Sequence, residues 1–408
     1  MSSRPGGRRH GQSRWRLGLL AAGVVAALGL GACSSDNTGD DGQPTTTNTG
    51  SQSPTVQAAP KPAAKIALNP AAGAGDVSPV APMTVTVTDG TIESLTLTNP
   101  TGKQVKGTLS PDRRTWTVGE PLGFGKTYTW AGNALGTNGE RQPITGAFTT
   151  VTPNGTTGAR INTGDGRTYG VAMPIAVTFD SPVADKAAVQ RAMTVTTSVP
   201  VEGTWAWLDD TRAHWRPRAY WPAGTTVDVD LRLYGVPFGN GVYGQNDLTS
   251  KFSIGRNQVV RGNTKTHRLQ VFRDGKLTAD LPASYGLDSD PGRVTNSGTH
   301  VVMSKHESYS MCNEKYDYCD VVVPWAVRIS NNGEFVHGYA PSIWAQGKQN
   351  VSHGCVNLAP DKAKQYFDSA LVGDPVEITG STNQLDPTDG DFYDWALTWP
   401  QWTAKSAL

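Results

Sequence analysis

Met83-Thr84-Val85-Thr86-Val87-Thr88 alternates apolar and polar side chains one by one, and Ser94-Leu95-Thr96-Leu97-Thr98 repeats the pattern. A period of two puts every apolar group on one face of an extended chain, so both runs predict half-buried strands. The segment containing Gly107-Thr108-Leu109, Trp116 and Gly125-Lys126-Thr127-Tyr128-Thr129-Trp130 has an echo about one hundred residues later, a spacing that marks repeated modules. There Gly203-Thr204-Trp205, Trp215 and Gly224-Thr225-Thr226-Val227-Asp228-Val229 keep the same Trp-to-Gly interval. The repetition predicts two β-sandwich modules, residues 63–151 and 152–255, acting as spacers. Trp116, Trp205, Trp207, Trp215 and Trp221 suit inter-sheet core packing better than an exposed sugar-stacking surface. A third β pattern starts at Arg268-Leu269-Gln270-Val271-Phe272 and turns at Asp274-Gly275. It continues through Val301-Val302-Met303 and Trp325-Ala326-Val327-Arg328-Ile329.

Composition agrees with a mainly β protein of several domains. At 408 residues the chain exceeds what one hydrophobic core supports. Its 46 glycines, 37% hydrophobic and 17% charged residues favour short strands and many turns, with helices a minority. A net charge of +1 provides no broad positive field, which sets nucleic acid aside as a partner.

The N-terminus reads as an address. Arg4, Arg8, Arg9, Arg14 and Arg16 precede an apolar stretch from Leu17 to Leu30, the basic and hydrophobic regions of a secretory signal. That stretch falls short of the roughly 20 residues a membrane span needs. Its end, Leu30-Gly31-Ala32-Cys33, resembles the lipobox of bacterial lipoproteins; a plain signal cleaved near Ala32 is the alternative. The resemblance implies a leader over residues 1–32 and a lipid on Cys33 that anchors the protein to the outer face of the cell membrane. Residues 33–62 are Ser, Thr, Gly, Asp, Asn, Gln, Pro and Ala with little else, which predicts a disordered tether reaching into the wall layer.

Candidate chemistry sits near the other end, in Val351-Ser352-His353-Gly354-Cys355-Val356-Asn357-Leu358, with a second histidine at His337. A thiol and an imidazole on separate segments supply a nucleophile and a base, because the thiolate is the reactive form and a neighbouring imidazolium lowers the thiol pKa. Gly354 allows close backbone approach, so amides around Cys355 are candidates for an oxyanion hole together with Ser352 and His353. One cysteine and two histidines alone suit a buried structural thiol equally well. The full string is more specific: Phe335-Val336-His337-Gly338, fourteen intervening residues after His337, then Ser352-His353-Gly354-Cys355-Val356-Asn357. It resembles the L,D-transpeptidase catalytic domain of the mycobacterial type, across residues 257–408.

The resemblance implies that the two upstream β-sandwiches are Ig-like domains, with a catalytic domain over 256–380 and a C-terminal extension, 381–408, packed upon it. Cys355 matches the family nucleophile, which attacks a tetrapeptide stem of peptidoglycan at the diaminopimelate carbonyl, releases D-Ala and forms a thioester. His337 matches the base, which then activates the amine of a second stem to give a 3-to-3 cross-link, with no cofactor. Tyr318, Asn332, Gly333 and Asn357 match the substrate-binding positions, with Tyr309 and Tyr316 as rivals of Tyr318; carbapenems are the expected inhibitors. Two features depart from the family pattern: Gly338 stands where Ser is common, and Cys312 and Cys319 bracket a lid segment. In an oxidising compartment those two thiols are expected to form a disulfide. No metal site is expected, either there or in the loop Tyr234–Gly241. Water in place of the acceptor amine would make the protein a carboxypeptidase or endopeptidase, and a silent site would leave a wall-binding lipoprotein.

Overall fold

The protein is described by a computed structural model covering residues 60–386 and 392–408. The leader, Cys33 and nearly all of the tether lie outside the described residues. Among the described residues no helix is long and apolar enough to cross a membrane, and no cluster of His, Cys, Asp and Glu could hold a metal ion.

The alternating runs become strands Thr84–Thr88 and Gly90–Thr98, which fall in different sheets. A four-stranded sheet faces a three-stranded one, and Val85, Val87, Leu97, Trp116 and Trp130 fill the space between them. The sequence echo proves to be a packing unit. Gly107–Leu109 pairs antiparallel with Thr115–Val118, and Gly203–Trp207 with Arg212–Pro217. In both pairs the indole of the second strand lies over the glycine of the first, so a Cβ at Gly107 would strike Trp116 and one at Gly203 would strike Trp215. All five tryptophans named above are buried, so they are core residues. The second module adds a short helix, Lys186–Arg191, started by Asp185, whose side chain accepts the N–H of Ala188 at 3.0 Å.

Residues from 258 onward form two further sheets. Five strands run in the order Lys276–Pro282, Arg268–Arg273, Gln258–Asn263, Pro375–Thr379, Gly298–Val301. Asp274 and Gly275, both with positive φ, make the tight turn of the first hairpin. The second sheet holds the hairpin Ser304–Asn313 and Tyr318–Arg328, then Phe335–Gly338 and Val356–Leu358. Its last two strands run parallel, joined by a long crossover. Helix Pro360–Ser369 follows at once, with Pro360 at its first position and Asp361 in its first turn, both favourable at a helix N-terminus. The main core gathers Val260, Leu269 and Val271 from one sheet, Val327, Val336, Val356 and Leu358 from the other, and Ala363 and Tyr366 from the helix.

The C-terminal extension meets both the catalytic domain, where Tyr393–Ala396 lies against strand Gly298–Val301, and the second module. Gln384 bridges to Ser297 on the catalytic domain, but the chain then crosses to the second module. Trp395 Nε1 donates to the Ala172 carbonyl at 2.8 Å, Trp402 Nε1 to that of Thr204 at 3.1 Å, and buried His214 meets Asp394 at 2.9 Å. The Arg216 guanidinium lies 4.6 Å from the Trp395 ring and 4.8 Å from that of Trp402. The extension therefore ties the catalytic domain to its neighbour.

Candidate active site

Period two along the parallel pair decides what faces the site. Val336, Val356 and Leu358 point into the main core, so their neighbours in sequence point the other way. Phe335, His337, Cys355 and Asn357 thus share the opposite face. His337 stands opposite Asn357 in register, which leaves Cys355 as its diagonal neighbour, within reach of a long side chain. A smaller apolar cluster of Met311, Val323, Ala326 and Phe335 covers this face, with Cys355 and Tyr318 packed against it. Between the hairpin and the Cys355 segment opens a cavity of about 310 Å³, lined by Cys355, His337, Ser352, Asn357, Tyr316 and Tyr318 among others.

His337 is buried, and its Nδ1 lies 3.0 Å from the Gly338 carbonyl. A carbonyl can only accept, so Nδ1 carries the hydrogen and Nε2 of the neutral ring is left with a lone pair. Burial lowers the His337 pKa to about 4, against the opposing pull of that carbonyl. Gly338 fits because the space beside it is taken: a Cβ there would lie 3.1 Å from both Pro324 and Pro360. The orienting group is backbone, so the missing serine removes none of it.

Cys355 keeps some accessible surface, yet protein surrounds its sulfur closely enough that burial pushes the thiol up to about 12. The Phe335 amide opposes that rise and the Glu334 carboxylate adds to it. Its Sγ donates to the Gly333 carbonyl at 3.5 Å. Desolvation penalises both charged forms, which favours neutral thiol and neutral imidazole over the thiolate–imidazolium pair that the residue types suggest.

The turn before Cys355 is built by its own motif. Ser352 Oγ accepts the Gly354 N–H at 3.2 Å and donates to the Cys355 carbonyl at 2.5 Å, while Thr295 Oγ1 donates to the Gly354 carbonyl at 2.7 Å. Gly354 has φ of +117°, a conformation that needs glycine. Ser352 thus spends its hydroxyl inside the turn, and the Gly354 amide is taken by it. His353 is exposed, its ring 5.1 Å from Tyr316 and 5.0 Å from Tyr318; burial and the Arg293 charge lower its pKa.

Tyr318 lines the cavity, and its phenol is raised by burial and then by Cys355. Tyr316 joins it, whereas Tyr309 packs on Phe335 at 4.8 Å. Both cavity tyrosines belong to the hairpin tip, where Cys312 and Cys319 are disulfide-bonded. Asn357 is buried, lines the cavity, and has a buried Oδ1 without a hydrogen-bond partner. Gly333 contributes its carbonyl; Asn332 sits exposed on the same turn, outside the lining residues. Sequence reasoning missed Tyr339, which lines the cavity with its ring 6.1 Å from that of His337. Its spacing of two from His337 was the available signal.

The L,D-transpeptidase catalytic domain profile matches residues 257–378, and a bacterial Ig domain profile matches 74–237. L,D-transpeptidase 5 of Mycobacterium tuberculosis is 47% identical over 97% of this chain and 85% of its own length. The chain belongs to the L,D-transpeptidase family. L,D-transpeptidase 2 of M. tuberculosis is 36% identical over 82% of this chain and 83% of its own. A solved structure of the LD transpeptidase LdtMt1 in complex with imipenem covers 55% of this chain and 99% of its own at 34% identity, with a TM-score of 0.47. As an L,D-transpeptidase the protein is an acyltransferase acting on peptidoglycan peptides. Members of this family employ a cysteine nucleophile, and Cys355 is the free cysteine among the described residues.

Proposed function

We propose that Cys355 attacks the carbonyl joining diaminopimelate to the terminal D-Ala of a tetrapeptide stem, and that a second stem resolves the thioester into a 3-to-3 cross-link. One observation carries the reading: the His337 ring, with Nδ1 tied to the Gly338 carbonyl, presents its free Nε2 on the sheet face and in the cavity that hold the thiol. As sulfur approaches the carbonyl, Nε2 takes the thiol proton, so no thiolate need form beforehand. The S–C bond forms, the C–N bond breaks, and the proton leaves with the D-Ala amine. The acceptor amine then attacks the thioester, Nε2 takes its proton, and the thiol is restored. Because Ser352 engages the Gly354 amide, we assign the oxyanion to the Cys355 amide. Asn357, which lines the cavity, contacts the stem. Carbapenems, being acyl donors of the same kind, are expected on the same sulfur. The sequence from Arg4 to Cys33 supports lipid anchoring at the outer face of the cell membrane, with 33–62 as tether.

The test incubates the protein with a tetrapeptide stem and resolves the products by mass. A dimer lighter by one D-Ala supports the reading; a trimmed monomer makes water the acceptor. Dimer formation by Cys355→Ala would overturn it.

A further inference from the structure

We propose that Glu334, which no step above uses, is a positioning residue for the nucleophile: its carboxylate fixes the strut that holds the Cys355 turn in place. The inference rests on Cys355 being the nucleophile, but its test does not need turnover.

Glu334 is 4% exposed, one residue before the strand that carries His337. Its Oε1 accepts the Asn296 N–H at 2.9 Å. The adjoining residue, Thr295, donates its hydroxyl to the Gly354 carbonyl at 2.7 Å and accepts the Gly286 N–H at 2.8 Å. A continuous chain of bonds thus runs from the carboxylate through the Asn296–Thr295 backbone to the peptide that places Cys355. Gly354 also lies against Glu334 directly, since a Cβ there would be 3.8 Å from Glu334 Cγ. The second oxygen, Oε2, is buried without a hydrogen bond, 3.5 Å from Nδ1 of fully buried His300. His300 is itself held through Nε2, which donates to the Asn296 carbonyl at 2.9 Å. Both ends of one peptide segment are therefore gripped by this buried acid and base.

The titratable groups near Glu334 are His300 from its strand and Cys355 from the turn, while the Arg293 guanidinium is engaged by the Val351 and Ser352 carbonyls. Arg328 stacks over the next residue, Phe335, at 5.3 Å. A carboxylate near a thiol disfavours the thiolate. That favours transfer of the proton directly to His337 during attack over its loss to solvent beforehand.

The test is alkylation of the full chain by iodoacetamide across a pH series, with the Cys355 peptide followed by mass. Glu334→Gln keeps an acceptor for Asn296 but removes the charge. Its Cys355 alkylation rate at fixed pH between about 7 and 9 should rise roughly threefold, with the fold intact. Thr295→Val keeps the charge and cuts the strut; that rate should stay at the parental value while acylation by a carbapenem slows. A purely structural Glu334 would leave the alkylation rate of folded Glu334→Gln at the parental value, and that result, or parental acylation by Thr295→Val, overturns the proposal.

Discussion

If the thiol pKa is near 12 and that of the imidazole near 4, acylation should be almost independent of pH between these limits. With the thiol at about 12, forming free thiolate at pH 7 means about 5 units at 1.36 kcal/mol each, or about 7 kcal/mol, and a thiolate fraction on the order of 10⁻⁵. A mechanism needing preformed thiolate would therefore gain about tenfold in rate per pH unit. Concerted removal of the proton by neutral His337 predicts a flat profile instead, falling only as the ring protonates near pH 4. The assay is single-turnover acylation by a carbapenem between about pH 5.5 and 8.5, quenched and read as adduct mass, a window inside both limits. His337→Gln supplies the control. Without the base, acylation should become slow and rise with pH toward unit slope. Unit slope in the parent protein would refute the reasoning, because the thiol would then ionise before attack.

Stability should also depend on His337. The unfolded ring binds a proton below 6.5, while the folded ring resists protonation until about 4, so stability is fully present above 6.5 and falls as pH drops toward 4. Between pH 7 and 5 the loss should be about 2 kcal/mol, and denaturant titrations should show it shrinking in His337→Gln. Gly338→Ser should lose about 1 to 2 kcal/mol, since Pro324 and Pro360 crowd the new Cβ, and acylation should slow as the orienting carbonyl shifts; an unchanged urea midpoint would contradict this. Asn357→Leu removes a buried acceptor that has no partner, so stability should hold or rise by about 1 kcal/mol while KM for the stem increases. A fall in stability with KM unchanged would mean Asn357 serves the fold rather than the substrate.

Much of this protein is local pattern. Alternation in Met83–Thr88 specifies a strand wherever the chain packs, because a period of two needs only one apolar partner surface. Asp274-Gly275 specifies its turn through backbone conformations that few residues adopt, and Gly354 does the same beside Cys355. The motif from Ser352 to Asn357, with His337 upstream, was likewise readable as a thiol and its base.

Charge and long-range contact were not. Residue types suggest an ion pair at the site, but protonation follows from how much protein surrounds each group, which depends on the cluster of Met311, Val323 and Phe335 folding over it. Glu334 and Thr295 belong to the site only because a loop and a strand edge meet there, 38 residues apart for the bond from Asn296 to Glu334. The C-terminal indoles settle on the second module because apolar surface and carbonyl acceptors coincide there in space, far from them in sequence. Sequence determined which residues could form strands, turns and a nucleophile; only packing across long separations decided what surrounds them, and burial is what sets the charge they carry.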